Sequence, residues 1–219
     1  MDKIYIVVNP VSANKTTARE WPLYEKALSD AGFEFDAVLT EYPGHAAELT
    51  RKALKLGYKT IMSVGGDGTM NEVVNGFFDN DRLIDENSRL IVFSRGTGCD
   101  FIRTLGINKN IEDLLAILKR NREKQIDVGR LSLVSAEGNM SVKYFLNIAD
   151  IGIGAETADR VNKNSKRLSG FLSFMLGTLS TVVLYKNQNF EVVIDDNIHL
   201  NGIMNSVIVA NGKYFGGGM

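Results

Sequence analysis

Apolar residues open the chain as a continuous run. Lys3 to Val8 is short, mostly β-branched and uninterrupted, the pattern of a strand buried on both faces. Thr16 or Thr17 is placed to cap a helix in which Trp21, Tyr24 and Leu28 recur at helical spacing until about Ala31, with Gly32 as its stop. Phe33, Phe35, Ala37 and Leu39 alternate with Glu34 and Asp36, which is strand period. The spacing then predicts a helix over His45–Leu56 ended by Gly57, a strand over Thr60–Val64, a helix over Met70–Phe78, a strand over Leu90–Ser94 and a helix over Ile111–Asn121. Strands separated by helices of this length imply βαβ units and a parallel sheet, assigned to an α/β domain at about residues 1–125.

Near Gln125 the pattern changes. Ile126–Val134 and Met140–Asn147 read as two strands joined by a turn at Glu137-Gly138-Asn139, and Phe190–Ile194 and Ile203–Ala210 as further strands without short crossover helices. This predicts part of a second, antiparallel β-rich domain over about 126–219. A helix at about 166–186 interrupts it. Its uncharged stretch from Leu168 to Leu184 also holds Ser169, Ser173, Thr178, Ser180 and Thr181, largely on the side opposite Phe171, Leu172, Met175 and Leu179. An amphipathic helix fits that pattern better than a membrane span.

Composition narrows the function classes. A net charge of -1 supplies no basic field for nucleic acid. The one cysteine, Cys99, excludes an internal disulfide and suits a reducing cytoplasm. The first residues lack the long apolar core of a secretion signal. His45 and His199 share no metal-ligand spacing and read as structural or solvated. Lys119, Arg120, Arg122 and Lys124 read as a solvated helix end, and Lys163, Lys166 and Arg167 as a solvated face that would also suit a bilayer surface.

The strongest chemical signal is Gly65-Gly66-Asp67-Gly68-Thr69-Met70-Asn71, between a predicted strand and a predicted helix. Its glycines let backbone approach a ligand, and the amides at a helix start face an anion. The pattern is neither GxGxxG nor a Walker loop. A carboxylate inside a phosphate loop makes sense if Mg²⁺ accompanies the phosphates; the plainer reading is Asp67 as a helix cap. Gly96-Thr97-Gly98-Cys99-Asp100 repeats the arrangement after the next strand. Asn9-Pro10-Val11-Ser12-Ala13 follows the first strand and Thr40 ends the second, so four strands deliver small or polar residues to one rim, where ligands of open α/β sheets collect.

These motifs, in this order, resemble the diacylglycerol kinase catalytic family, whose domain is shared by bacterial lipid kinases, sphingosine kinases and ceramide kinases. Ile126-Asp127-Val128-Gly129, Phe145-Leu146-Asn147, Gly152-Ile153-Gly154 and Asn211-Gly212 extend the likeness along the chain. NAD kinases share the first glycine motif; the second loop and Asp127-Val128-Gly129 favour the lipid branch. The resemblance implies a Rossmann-like nucleotide-binding domain followed by part of a β-rich lipid-binding domain. It implies ATP held by Asn9, Pro10, Val11, Ser12, Ala13, Thr40, Gly65, Gly66, Asp67, Gly68, Thr69, Met70, Asn71 and Thr97. Asp67 would serve catalysis, and Asp67, Asp100 and Asp127 would organise Mg²⁺ through water. The reaction would be phosphoryl transfer to a lipid hydroxyl such as that of diacylglycerol, by a cytoplasmic enzyme peripheral to the membrane, with room for a homodimer. An NAD kinase and a non-catalytic nucleotide-binding regulator are the alternatives.

Two departures stand out. Ser94 and Cys99 occupy positions where the family usually has Pro and Asn. The family's further Mg²⁺-ligating segment and its catalytic base would also follow the position of Met219, so the resemblance implies a fragment that is not a competent kinase alone.

Overall fold

The computed structural model describes residues 2–96, 98–135, 137–157 and 184–218. They form two compact units, Met1–Asn147 with Asn211–Met219, and Ile148–Ala210.

The first unit is built on four parallel strands, β1 (Ile4–Val8), β2 (Phe35–Leu39), β3 (Thr60–Gly65) and, beyond two short strands, β6 (Arg89–Ser94), in the order β2-β1-β3-β6. The apolar run of β1 has the expected cause. Ile4, Ile6 and Val8 face α1 (Thr16–Asp30) and α5 (Ile111–Arg120), where Trp21, Leu28, Leu114 and Leu118 close over them. Val7 faces the other way, with Ile61, onto α2 (His45–Lys55) and α3 (Asp67–Gly76) through Ala46, Ala53, Leu54 and Val73. Period 2 along the strand thus divides the core into two layers, and helices on both faces exclude water from the sheet. Thr16 begins α1 rather than capping it, because the cap position falls on Lys15 in left-handed backbone, and Thr17 is fully buried.

Between α3 and β6 lie β4 (Phe78–Asp79) and β5 (Arg82–Leu83), a tight hairpin whose turn residues Asn80 and Asp81 both have positive φ, 46° and 65°. This turn anchors a second hairpin, β7 (Gly129–Val134) with β8 (Met140–Phe145). Arg130 Nε donates to both Asp81 oxygens at 2.9 Å, the Tyr144 hydroxyl donates to the same carboxylate, and the Tyr144 ring stacks on Phe78 at 3.6 Å. Asn75 of α3 completes the join, donating to Tyr144 O at 2.9 Å and accepting from Tyr144 N at 3.0 Å. The hairpin grouped from its pattern with the C-terminal region is therefore packed in the first unit. The chain also returns to this unit at Asn211, whose side chain donates to Asp127 O and Leu146 O, both at 2.8 Å.

The second unit pairs β9 (Ile148–Gly152) with β12 (Ser206–Ala210), and β10 (Gln188–Ile194) with β11 (Ile198–Met204), all antiparallel as expected. The helix expected at about 166–186 lies almost wholly outside the described residues. Among the described residues no helix is long and apolar enough to cross a membrane.

Two measurements check this packing. A Cβ on Gly76 would lie 2.5 Å from both Ala47 O and Thr50 Cβ. Helix propensity alone favours Gly76→Ala by up to about 1 kcal/mol, but overpacking costs about 1–3 kcal/mol. Denaturant unfolding should show net destabilisation, and a gain in stability would contradict the α2–α3 contact. Asp81 has its pKa lowered from 3.8 to about 2, chiefly by the Arg130 hydrogen bonds and then by Tyr144. The folded value lies below the unfolded one, so this contribution is complete above the ordinary carboxylate range and is lost as pH falls through about 2. An NMR titration should find the Asp81 midpoint there and return it to the ordinary range in Arg130→Gln. An ordinary midpoint in the unsubstituted protein would contradict the clamp.

Candidate functional site

In the order β2-β1-β3-β6 the chain reverses direction across the sheet between β1 and β3, the kind of switch point at whose carboxyl edge open α/β sheets bind ligands. Three turns meet beside it.

The first follows β1. Asn9 N continues the sheet by donating to Val64 O at 2.8 Å. Its side chain donates to Thr69 Oγ1 at 2.8 Å and accepts from Val11 N at 3.1 Å, so one residue fixes both its own turn and the start of α3. Ser12 Oγ donates to Asn9 O at 2.8 Å and shares a hydrogen bond with Thr17 Oγ1 at 2.6 Å. Ala13, Asn14 and Lys15 then run through left-handed backbone with φ of 49°, 54° and 67°. Such conformations are costly outside glycine and concentrate at functional sites. Pro10 belongs to this turn, and Val11 is exposed. Thr40 reaches the same rim from β2, its amide donating to Val8 O at 2.8 Å.

The second turn is Gly65 to Thr69. Gly66, in extended backbone, occupies the cap position and Asp67 is the first helical residue, so Asp67 does not serve as the helix cap. The first helical bond is Met70 N to Gly66 O at 3.1 Å, which leaves the amides of Asp67, Gly68 and Thr69 ahead of the helical ladder. They form an anion-attracting end, helped by the helix dipole. A Cβ on Gly65 would lie 2.5 Å from Thr69 Oγ1, so the residue must be glycine for Thr69 to fold back toward Asn9. Met70 belongs to the site only through its backbone, because its side chain is buried with Val74, Phe101 and Leu146. Asn71 is exposed on the next turn, with its carbonyl accepting from Asn75 Nδ2 at 2.8 Å.

The third turn leads from β6 into α4 (Asp100–Leu105) and is pressed against the second. A Cβ on Gly96 would lie 2.6 Å from Gly66 Cα. The Cys99 amide donates to Asp67 Oδ2 at 2.8 Å, and its thiol to Gly96 O at 3.0 Å. Cys99 is fully buried with φ of 56°, so only its backbone amide reaches the second turn. Asp100 is 7% exposed. Its Oδ2 accepts from Gly217 N at 2.9 Å, and its Oδ1 is buried with no hydrogen-bond partner, 3.7 Å from Arg103 Nη1. A Cβ at Gly98 would lie 3.3 Å from Asp67 Oδ2 and 3.7 Å from Asp100 Oδ2, so the two carboxylates converge on either side of this glycine. Thr97 lies outside the described residues.

Asp127 does not join the pair as a metal cluster. Its side chain is exposed, and among the described residues no group of three or more His, Cys, Asp or Glu is placed to hold a metal ion. Two convergent carboxylates with an orphaned buried oxygen still suit Mg²⁺, which commonly takes one or two protein carboxylates and completes its shell with water and phosphate. Spacing gave no sign of Arg103, which donates to Gly217 O at 2.9 Å, or of Lys109, which brings an ammonium group 3.4 Å from Gly96 O. The bond from Gly217 to Asp100 spans more than a hundred residues, and no local pattern encodes it.

Comparison with known proteins gives the family and the fold. Residues 3–131 match the family model of the diacylglycerol kinase catalytic domain. Residues 147–219 match that of the YegS C-terminal NAD kinase beta sandwich-like domain. Diacylglycerol kinases from Staphylococcus aureus strains JH9 and Newman are 28% identical over 193 residues, covering 88% of this chain and 57% of theirs. The chain thus spans little more than half the length of these curated relatives. Two crystal structures of proteins from Bacillus anthracis str. Sterne, one described as a diacylglycerol kinase, share the fold at 24% identity. They cover 99% of this chain and 68% and 66% of their own, with TM-scores of 0.68 and 0.64. Since the catalytic-domain match takes in more than half of its residues, the chain belongs to the diacylglycerol kinase catalytic domain family.

Proposed function

We propose that this chain carries the nucleotide-binding part of an ATP-dependent lipid kinase, which transfers the γ-phosphoryl group to a lipid hydroxyl such as that of diacylglycerol. The observation that carries the reading is the convergence of Asp67 and Asp100 across Gly98, beside the unladdered amides of α3. Anion donors and hard carboxylate oxygens side by side suit a phosphate chain with its metal better than either ligand alone.

In this reading the amides of Asp67, Gly68 and Thr69 receive phosphate oxygens. Asn9 and Ser12 hold the first turn against them, and Thr40 and Thr97 contribute at the rim. Asp67 and Asp100 orient water around Mg²⁺, with Asp127 acting at longer range. Bound Mg²⁺ supplies charge neutralisation on the phosphates during transfer. The protein's part is positioning and electrostatics, as phosphoryl transfer generally requires. About residues 1–125 would serve the nucleotide and the β-rich region at about 126–219 the lipid. The enzyme would work in the cytoplasm, peripherally on a bilayer.

Calorimetric titration should find MgATP bound with a Kd between micromolar and millimolar, about -8 to -4 kcal/mol. NAD binding far tighter than ATP would replace the lipid-kinase reading with an NAD kinase one. Asp67→Asn keeps an acceptor for the Cys99 amide but removes the charge. It should weaken Mg²⁺-dependent ATP binding at least tenfold, about 1.4 kcal/mol, with little change in thermal unfolding. Unchanged affinity would reduce Asp67 to a structural tie between two loops.

A further inference from the structure

The third turn is rich in glycine, so few side chains hold it in place. Glycine backbone is costly to order, and the constraint must come from its flanks. The flanking residue is Arg95. Its amide donates to Gly65 O at 2.6 Å, tying it to the end of β3. Its guanidinium lies 5.1 Å from the ring centre of Tyr24 and 5.8 Å from that of Phe93. It pairs with the Glu20 carboxylate of α1 and donates from Nη1 to Lys109 O at 3.2 Å. Glu20 in turn accepts from the Tyr24 hydroxyl at 2.6 Å. One side chain therefore joins α1, β6 and the approach to α5, immediately before the residue whose backbone touches Gly66.

We propose that Arg95 is a positioning residue for the nucleotide and metal site. Through its hold on Glu20 and Tyr24 it fixes Gly96 and Gly98–Asp100 against Gly65–Asp67, and so sets the spacing of the Asp67 and Asp100 carboxylates. The assignment rests on the proposed nucleotide function for its consequence, but not for its geometry. Arg95 reaches no carboxylate of the site itself; it acts through the backbone of Gly96, whose carbonyl receives the Cys99 thiol and the Lys109 ammonium. The pair is sheltered, with side-chain exposures of 19% for Arg95 and 27% for Glu20. Glu20 is held below the usual carboxylate range, first by the Tyr24 hydroxyl and also by Arg95, while burial and Glu20 push Tyr24 up to about 12. Glu20 therefore stays ionised through neutral pH. A lysine keeps the charge at this position but lacks the planar fork that spans a carboxylate, a carbonyl and an aromatic slot together.

Hydrogen exchange separates this role from general stability. The Cys99 amide, which is bonded to Asp67, is the reporter, and the amides of β1 are the control. In Arg95→Lys and in Glu20→Gln the Cys99 amide should exchange at least about tenfold faster while β1 is unchanged, the sign of a local opening. Mg²⁺-dependent ATP affinity should fall about tenfold, against less than about threefold for ATP without the metal. Unchanged exchange at Cys99 in both variants overturns the proposal. Faster exchange throughout β1 also overturns it, since Arg95 would then serve only overall stability. Local acceleration in a protein that binds no nucleotide would uphold the positioning role and refute the nucleotide reading instead.

Discussion

The hydrogen bond from the Cys99 amide to Asp67 Oδ2 joins two turns that lie 32 residues apart, and the candidate site depends on it. Without it the turn after β3 would be one helix start among several, with a carboxylate free to swing into solvent. With it, one Asp67 oxygen is held beside Gly98, where a carboxylate oxygen of Asp100 also lies. The bond needs two backbones to approach so closely that a Cβ on Gly96 would lie 2.6 Å from Gly66 Cα, and it needs left-handed backbone at Cys99. Each requirement costs conformational free energy, and a rigid sheet is what repays it. β3 and β6 are neighbours in register from Thr60 to Gly65, so both turns leave adjacent strands at the same level.

The sheet also explains why the site lies where it does. β1 and β3 are buried on both faces, and their apolar residues divide between two helical layers. No charged residue lies within β1 or β3; the polar residues of the site collect where the strands end and the backbone must turn. Asn9 is the meeting point, since it extends β1, shapes its own turn and holds Thr69 at the start of α3. Asp100 adds a link to the returning segment through Gly217, so one of the two carboxylates is held by a part of the chain that comes after the whole second unit.

What was legible in the sequence followed from local causes. The continuous apolar run of β1, the alternation along β2 and the helical spacing of Trp21, Tyr24 and Leu28 are imposed by the core and are visible within a few residues. The glycines of the second and third turns were visible because close approach demands them. The rest was hidden for a common reason. Thr17 fits the pattern of a helix cap, yet it is buried against Ser12, and the cap position goes to Lys15. Met70 sits within the motif, but its side chain answers to Phe101 and Leu146. The 129–145 hairpin has the pattern of a new domain, while its placement is decided by Asp81, Asn75 and Phe78, each far away in the chain. Asp127, chosen by family resemblance, offers its carbonyl to Asn211 and leaves its side chain exposed.

In the proposed function the carboxyl edge between β1 and β3 receives a metal-bound nucleotide phosphate. Backbone amide shifts on titration with MgADP test it most directly. The largest changes should fall on Gly66 to Thr69 and Gly98 to Asp100, with smaller ones from Asn9 to Ala13. None should fall along the 188–204 hairpin. Changes centred on Lys3 and Gly57 to Lys59, at the opposite edge of the sheet, would contradict that reading.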